Sequence, residues 1–325
     1  MIINSFFNVI NGRFLRRRIF HKNFSRIPYL SPSQLNEFKN CPRKYFYRYI
    51  LKCKEPPNLV LLKGNSVHQA LENFYSGSKV RSPENLAEEV SISFHEGLSS
   101  KFDELFDKEE EYSMFEAECI EQSMNLFSLE NVRCVKPLYL EKRMGLEVDV
   151  PSRSSSSAPK VTMKLVGIAD RIEENEKGKI GIVDYKTGPS PNTKRYPRSM
   201  KQMILEERFY QLRLYALMSQ QTLNLHPSYL SLIFLGGNKG EKITIPVSQD
   251  DLKDAQNRLV GEVEEMIDCE RKNEFVPKVG PLCNFCSFKP NCPAHKKTNE
   301  QVEEDQKQSP SSSNQFKSNN NVIAS

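Results

Sequence analysis

Along the first third of the chain, apolar residues recur every third or fourth position, the spacing of one helix face. From Pro137 onward they alternate with polar residues, the period of a half-buried strand. Ser31-Pro32 supplies an N-cap and a proline at the first helical position, Leu35 and Phe38 share a face, and Pro42 ends that helix. A further helical turn or two, carrying Arg43, Tyr45, Phe46, Arg48 and Tyr49, reaches residue 51. After Gly64, the positions of Val67, Leu71 and Phe74 predict a helix over 65–77. Ser82-Pro83 opens a third with Leu86, Val90, Phe94 and Leu98, and Tyr112, Phe115, Cys119 and Phe127 predict a fourth over 109–129.

The alternating stretches predict strands over 138–150 and 161–172, joined by a Ser-rich flexible loop. A Glu176-Lys177-Gly178 turn leads to a third strand, 179–186, with Ile180 and Ile182 on one side and Val183 on the other. A helix over 200–221, strands over 228–235 and 241–247, and a last long helix follow. Ser248 and Asp251 form the capping box of that helix, which bears Leu252, Leu259, Val263 and Met266. No internal repeat is visible, and the order of elements predicts an α/β domain around a mixed sheet. Residues 296–325, rich in Lys, Gln, Ser and Asn, are expected to be disordered. No run approaches the roughly 18 apolar residues of a membrane span, so a soluble protein is expected.

Charge changes the picture at the N-terminus. Residues 1–28 hold six of the 46 Lys and Arg residues and no acid, which reads as an organelle transit peptide, chloroplast or mitochondrial; the alternative is a basic arm touching nucleic acid. Without them 40 basic residues face 41 acidic ones, so phosphate contacts would need local patches. Arg43, Lys44 and Arg48 form one candidate and Lys194, Arg195, Arg198 and Lys201 another, although charge runs are commonly solvated faces.

Two carboxylates sit where strands end, Asp170 and Asp184, and Lys186 shares a strand face with Asp184. The acid and amine could be a surface ion pair, but Asp184 closes an apolar run and a turn follows, a placement typical of sites. Paired carboxylates suit Mg²⁺ and a phosphate substrate, and a neighbouring lysine can orient or help deprotonate the attacking water. His68 and Glu72, and Gln211 and Tyr215, lie one helical turn apart; each pair alone reads equally as ordinary helix surface.

Taken in order, Gly64-x3-His68-x3-Glu72, Gly167-x2-Asp170-Arg171, Asp184-Tyr185-Lys186-Thr-Gly and Gln211-x3-Tyr215 resemble the RecB-type branch of the PD-(D/E)XK nuclease superfamily. The likeness is to the AddB-like and stand-alone exonucleases in particular, and it spans about residues 30–293. It implies a restriction-endonuclease-like mixed sheet flanked by helices, organised as a helical segment 29–132, a catalytic core 133–272 and a cysteine cluster 273–295. It implies that His68, Asp170 and Asp184, with the Tyr185 carbonyl, bind Mg²⁺ or Mn²⁺. It makes Lys186 catalytic, and Gln211 and Tyr215 the pair ordering site and DNA, with a supporting role for Glu72. The expected activity is a deoxyribonuclease acting on single-stranded ends in organelle DNA repair or turnover. The alternative is a non-catalytic DNA-binding subunit; lacking a GxxxxGK[ST] loop, the chain would rely on a partner for any helicase motor.

Eight cysteines without a secretory signal argue against a disulfide framework. Cys283-x2-Cys286-x5-Cys292 has metal-ligand spacing; with His295 or Cys269 it would make a zinc site, and spacing alone leaves zinc and iron–sulfur open. One cysteine before the nuclease motifs, Cys41, and three after resemble the arrangement of iron–sulfur RecB-type nucleases. That resemblance implies a 4Fe-4S cluster on Cys41, Cys283, Cys286 and Cys292, closing a loop of 242 residues and restricting the unfolded chain much as a disulfide does. Cys53, Cys119, Cys134 and Cys269 read as ordinary thiols.

Overall fold

The computed structural model describes residues 29–98, 105–151, 161–194 and 196–295. The expected transit peptide, the Ser-rich segment 152–160, Arg195 and the C-terminal tail lie outside the described residues.

Helix α1 (Pro32–Asn40) starts in a capping box, Ser31 with Gln34, and stops at the extended Cys41 before Pro42. α2 (Pro42–Tyr45) continues into a π turn (Phe46–Ile50). Helix α3 (Leu59–Ser76) begins before Gly64, not after it. Asn58 caps it by accepting from the amides of Val60 and Leu61, and the apolar face outweighs the cost of about 1 kcal/mol for a mid-helix glycine. α4 (Pro83–Leu98) follows. The expected fourth helix is broken into α5 (Glu109–Met124) and α6 (Leu126–Leu129), because Asn125 turns its side-chain amide onto the carbonyls of Leu235 and Gly237.

Strands β1 (Pro137–Val150), β2 (Val161–Glu174), β3 (Ile180–Pro189), β4 (Tyr229–Gly236) and β5 (Glu241–Pro246) form one sheet in chain order. Every pairing is antiparallel except β3 with β4, whose parallel register requires a crossover, supplied by α7 (Arg198–Leu223). α8 (Gln249–Lys272) follows β5. The architecture is thus a mixed five-stranded sheet flanked by helices, as the order of elements predicts and the resemblance implies.

Two cores cover the sheet. The first joins α1, α7 and α8 to Leu165, Ala169, Ile182 and Leu232; the second joins α3, α4 and α5 to Val183, Tyr185, Ile233 and Leu235. β1 and β2 stay paired from Pro137 to Val150 while β3 meets β2 only from Arg171 onward, so the two strands project as a ribbon. This ribbon changes faces midway: Met144, Leu146 and Val148 belong to the first core, whereas Leu140 packs on the second. The turnover falls at Glu141, whose φ of 42° is left-handed, a conformation that a non-glycine residue adopts only when its surroundings enforce it.

Beneath the sheet, Arg171 is the largest fully buried side chain among the described residues. It donates in a fork to Glu130 at 2.8 and 2.9 Å, pairs with Glu173 at 2.9 Å and donates to the Tyr185 hydroxyl. Glu130 also accepts from Tyr75 at 2.6 Å and Lys242 at 2.9 Å. Burial alone would raise the Glu130 carboxyl; the hydrogen bonds and charge of Arg171, with Lys242, outweigh it and hold the group down to about 2. Its contribution to stability is therefore fully present above its ordinary value of 4.5 and is lost as pH falls from there toward 2. Glu130→Gln, which strands a buried guanidinium, is expected to destabilise the fold by about 3–5 kcal/mol and to flatten the acid limb in that window. Urea unfolding across pH measures both.

Candidate active site

One helix and two strands deliver their polar groups to the point where the ribbon changes face. β2 brings Asp170 and β1 brings Glu141, which lies between the register pairs Leu140–Arg171 and Lys142–Ala169 and so opposite Asp170. From α3, His68 places Nδ1 3.4 Å from Asp170 Oδ1 and 3.8 Å from Glu141 Oε1. The three ligand atoms lie within 4.8 Å of one another. Donors about 2.1 Å from a cation in octahedral geometry stand about 3 Å apart, so a small contraction closes this trio on one ion.

β3 adds Asp184 and, two residues on, Lys186, whose Nζ is 2.6 Å from Asp184 Oδ2. That contact supplies opposite charge but not an aligned hydrogen bond, and Oδ2 is a buried acceptor without a donor aimed at it. A buried carboxylate oxygen held by an ion pair alone, beside an imidazole and two further acids, fits a divalent cation. Burial, then the charge of Asp170, pushes Asp184 above the usual carboxylate range against the pull of Lys186. Asp170, equally desolvated, is held below its usual value by His68, Lys186 and the Tyr185 amide, which donates to Oδ2 at 2.8 Å. Burial disfavours the imidazolium, but Asp170, Glu141 and Asp184 together lift His68 to about 10.

Of the residues read from the sequence, His68 and Asp170 meet directly. Asp184 turns to Lys186 at the edge of the trio, and the Tyr185 side chain points to the far face, onto Arg171. Gln211 donates to the Tyr215 hydroxyl at 2.7 Å on α7. Tyr215 packs on the ribbon because position 167 is glycine: a Cβ there would lie 2.6 Å from its Cε1. Glu72 is occupied by Gln69 at 3.1 Å and stands outside the trio. Glu141 is the residue that sequence reasoning missed; one glutamate among alternating residues carries no local signal, and its left-handed backbone appears only in the fold.

The first basic patch does not stand free as a run. Lys44 and Arg48 bind Glu37 at 2.7 and 2.9 Å, and Arg48 also reaches Glu55 at 3.1 Å. Tyr45 and Phe46 pack against Phe275, so this aromatic segment is core. In the second patch Lys201 donates to the Asn192 carbonyl at 3.3 Å, while Lys194 and Arg198 are exposed.

Cys41, Cys283, Cys286 and Cys292 line one pocket, although 242 residues separate the first two. Burial raises the Cys286 thiol, and the neighbouring Cys41 and Cys283 add to it against Lys44. Cys269 is elsewhere, on α8; His295 borders the pocket with a buried, unpartnered Nε2. No three donor atoms here lie within 4.8 Å of one another.

Glu141→Gln is expected to weaken Mn²⁺ binding about tenfold or more without unfolding the protein. Because His68 holds its proton up to about 10 and must lose it to ligate, affinity should rise with pH across the neutral range, with a proton released per ion. Calorimetry in buffers of different ionisation enthalpy reads both quantities; unaltered affinity in the variant would remove Glu141 from the ligand set.

Among proteins of known sequence, the chain is 26% identical over 161 residues to one of the subunits of an ATP-dependent helicase/deoxyribonuclease from Streptococcus agalactiae, a match covering 49% of this chain and 14% of that protein. It is 33% identical over 82 residues to an uncharacterised protein of Rickettsia conorii, covering 25% of the chain and 9% of that protein. The chain thus spans only a small part of these relatives. A crystal structure of a protein from Eubacterium rectale assigned as an exonuclease superposes with a TM-score of 0.51 at 13% identity, covering 83% of this chain and 89% of that one, a likeness of fold. The profile of the PD-(D/E)XK nuclease superfamily matches residues 29–293, nearly the whole described chain, and the protein belongs to that superfamily.

Proposed function

We propose that the protein is a divalent-metal-dependent deoxyribonuclease that hydrolyses phosphodiester bonds from single-stranded DNA ends. The observation that carries this reading is the convergence of His68, Glu141 and Asp170 beside the Asp184–Lys186 pair. A bound Mg²⁺ or Mn²⁺ would polarise the phosphodiester and acidify water. His68, Glu141 and Asp170 would hold it, with Asp184 swinging from Lys186 to complete the set. Lys186, released from that ion pair, would orient the attacking water and offset the negative charge it gains as its proton passes to solvent. Tyr215, fixed by Gln211 on one side and by Gly167 on the other, limits how the scissile phosphate enters.

The cysteine pocket is read as the seat of a 4Fe-4S cluster, a staple between the two ends of the domain and not a redox catalyst. The four-thiol donor set gathered in one pocket supports this. The basic, acid-free segment 1–28 supports delivery to a chloroplast or mitochondrion, where the enzyme would serve DNA repair or turnover beside a separate helicase.

Purified anaerobically, the protein should contain iron and should degrade end-labelled single-stranded DNA in Mg²⁺ or Mn²⁺. Asp184→Ala and Lys186→Ala should each lower the rate about 100-fold or more while leaving the melting temperature close to that of the parent. Undiminished cleavage by both variants would exclude this site. DNA binding in EDTA with no cleavage in either metal would mark a non-catalytic subunit, and zinc without iron would exclude the cluster.

A further inference from the structure

The outward face of the β1–β2 ribbon carries residues used by neither core nor by the cation trio. Arg143 stands opposite Ile168 in register, and Ile168 is 46% exposed, unusual for an isoleucine in mid-strand. The Arg143 guanidinium lies 6.0 Å from the centre of the Tyr29 ring, which is also 46% exposed. Tyr29 is held there because Leu30 is stitched to the open edge of β2, its amide donating to Lys164 O at 2.9 Å and its carbonyl accepting from Val166 at 2.7 Å. Arg143 has no carboxylate partner among the described residues, unlike Lys44, Arg48 and Arg171. Beside it runs a groove of ≈ 540 Å³ whose lining holds Arg143 and Lys164 against one acid, Glu147.

Two residues along each strand from the Arg143–Ile168 pair stand Glu141 and Asp170, so this surface is continuous with the cation site. An aromatic ring and an aliphatic side chain lying open beside an unpaired guanidinium match the two surfaces of an unpaired strand, a flat base and a phosphate. Duplex DNA presents its bases already stacked on one another and cannot use the apolar part. We infer that this face of the ribbon binds the single-stranded segment next to the scissile phosphate, a base lying on Tyr29 and Ile168 and a phosphate on Arg143. The inference rests on the nuclease reading only for which phosphate is cut; the binding itself does not require it.

Both key side chains are exposed, so Arg143→Gln and Ile168→Ser should fold, as melting curves of the full chain will register. Their affinity for a fluorescein-labelled oligothymidylate is measured in EDTA over a range of salt, beside Arg133→Gln, an exposed arginine away from the ribbon. Each ribbon variant should bind about fivefold more weakly, the loss of one base or phosphate contact, and Arg143→Gln should lower the salt slope by about 0.7, the contribution of one phosphate on a single strand. Arg133→Gln should bind like the parent. Unchanged affinity in the ribbon variants, or an equal loss in Arg133→Gln, overturns the inference. Weakened binding in a protein that never cleaves DNA sustains the ribbon surface while removing the nuclease reading.

Discussion

A guanidinium with no access to water organises this molecule. Arg171 is tolerable inside only because Glu130 meets it with both oxygens, Glu173 with one, and Tyr185 and Tyr75 with their rings. Those partners come from β2, β3, α3 and the segment before β1, so satisfying one buried charge fixes the second helical layer against the sheet. Arg171 follows Asp170 and Tyr185 follows Asp184. Their contact on the far face therefore sets how the two carboxylates stand on the near face, since neighbouring residues of a strand point to opposite sides.

The near face gains from that rigidity. Imidazole, three carboxylates and an ammonium are held within one small region, with their charges only partly balanced by one another. Asp170 and Glu141 hold the proton on His68, and Lys186 partly balances Asp184. Glu141 is the clearest mark of the strain. Its left-handed backbone is disfavoured by about 1–3 kcal/mol, and it persists where the ribbon passes from one core to the other. The same crossing leaves the outward face of the ribbon bare, and that face leads to the His68–Glu141–Asp170 cluster.

Much of the fold was legible because local periodicity reports which face of an element is buried. The alternation through 138–150 and 161–172 returned as β1 and β2, and Ser31 and Ser248 returned as capped helix starts. The beginning of α3 was misplaced because Gly64 reads as a breaker, whereas Asn58 and the apolar face carry the helix through it. The continuous helix expected over 109–129 was misjudged for another reason: Asn125 is recruited by carbonyls of β4 and its turn, more than a hundred residues away.

By itself the sequence determined most of the elements, the mixed sheet and most residue types of the site, since the spacings of His68, Asp170, Asp184 and Lys186 and of the four cysteines are properties of the chain. Tertiary structure alone decided which of these meet. It drew Glu141 to His68 across 73 residues of chain, turned Asp184 toward Lys186, neutralised Lys44 and Arg48 with Glu37, and brought Cys41 to the pocket of Cys283. The physical reason is that periodicity encodes only burial on one element. Approach between elements depends on strand twist, on a left-handed residue at one position, and on the demand that each buried charge find its counterpart.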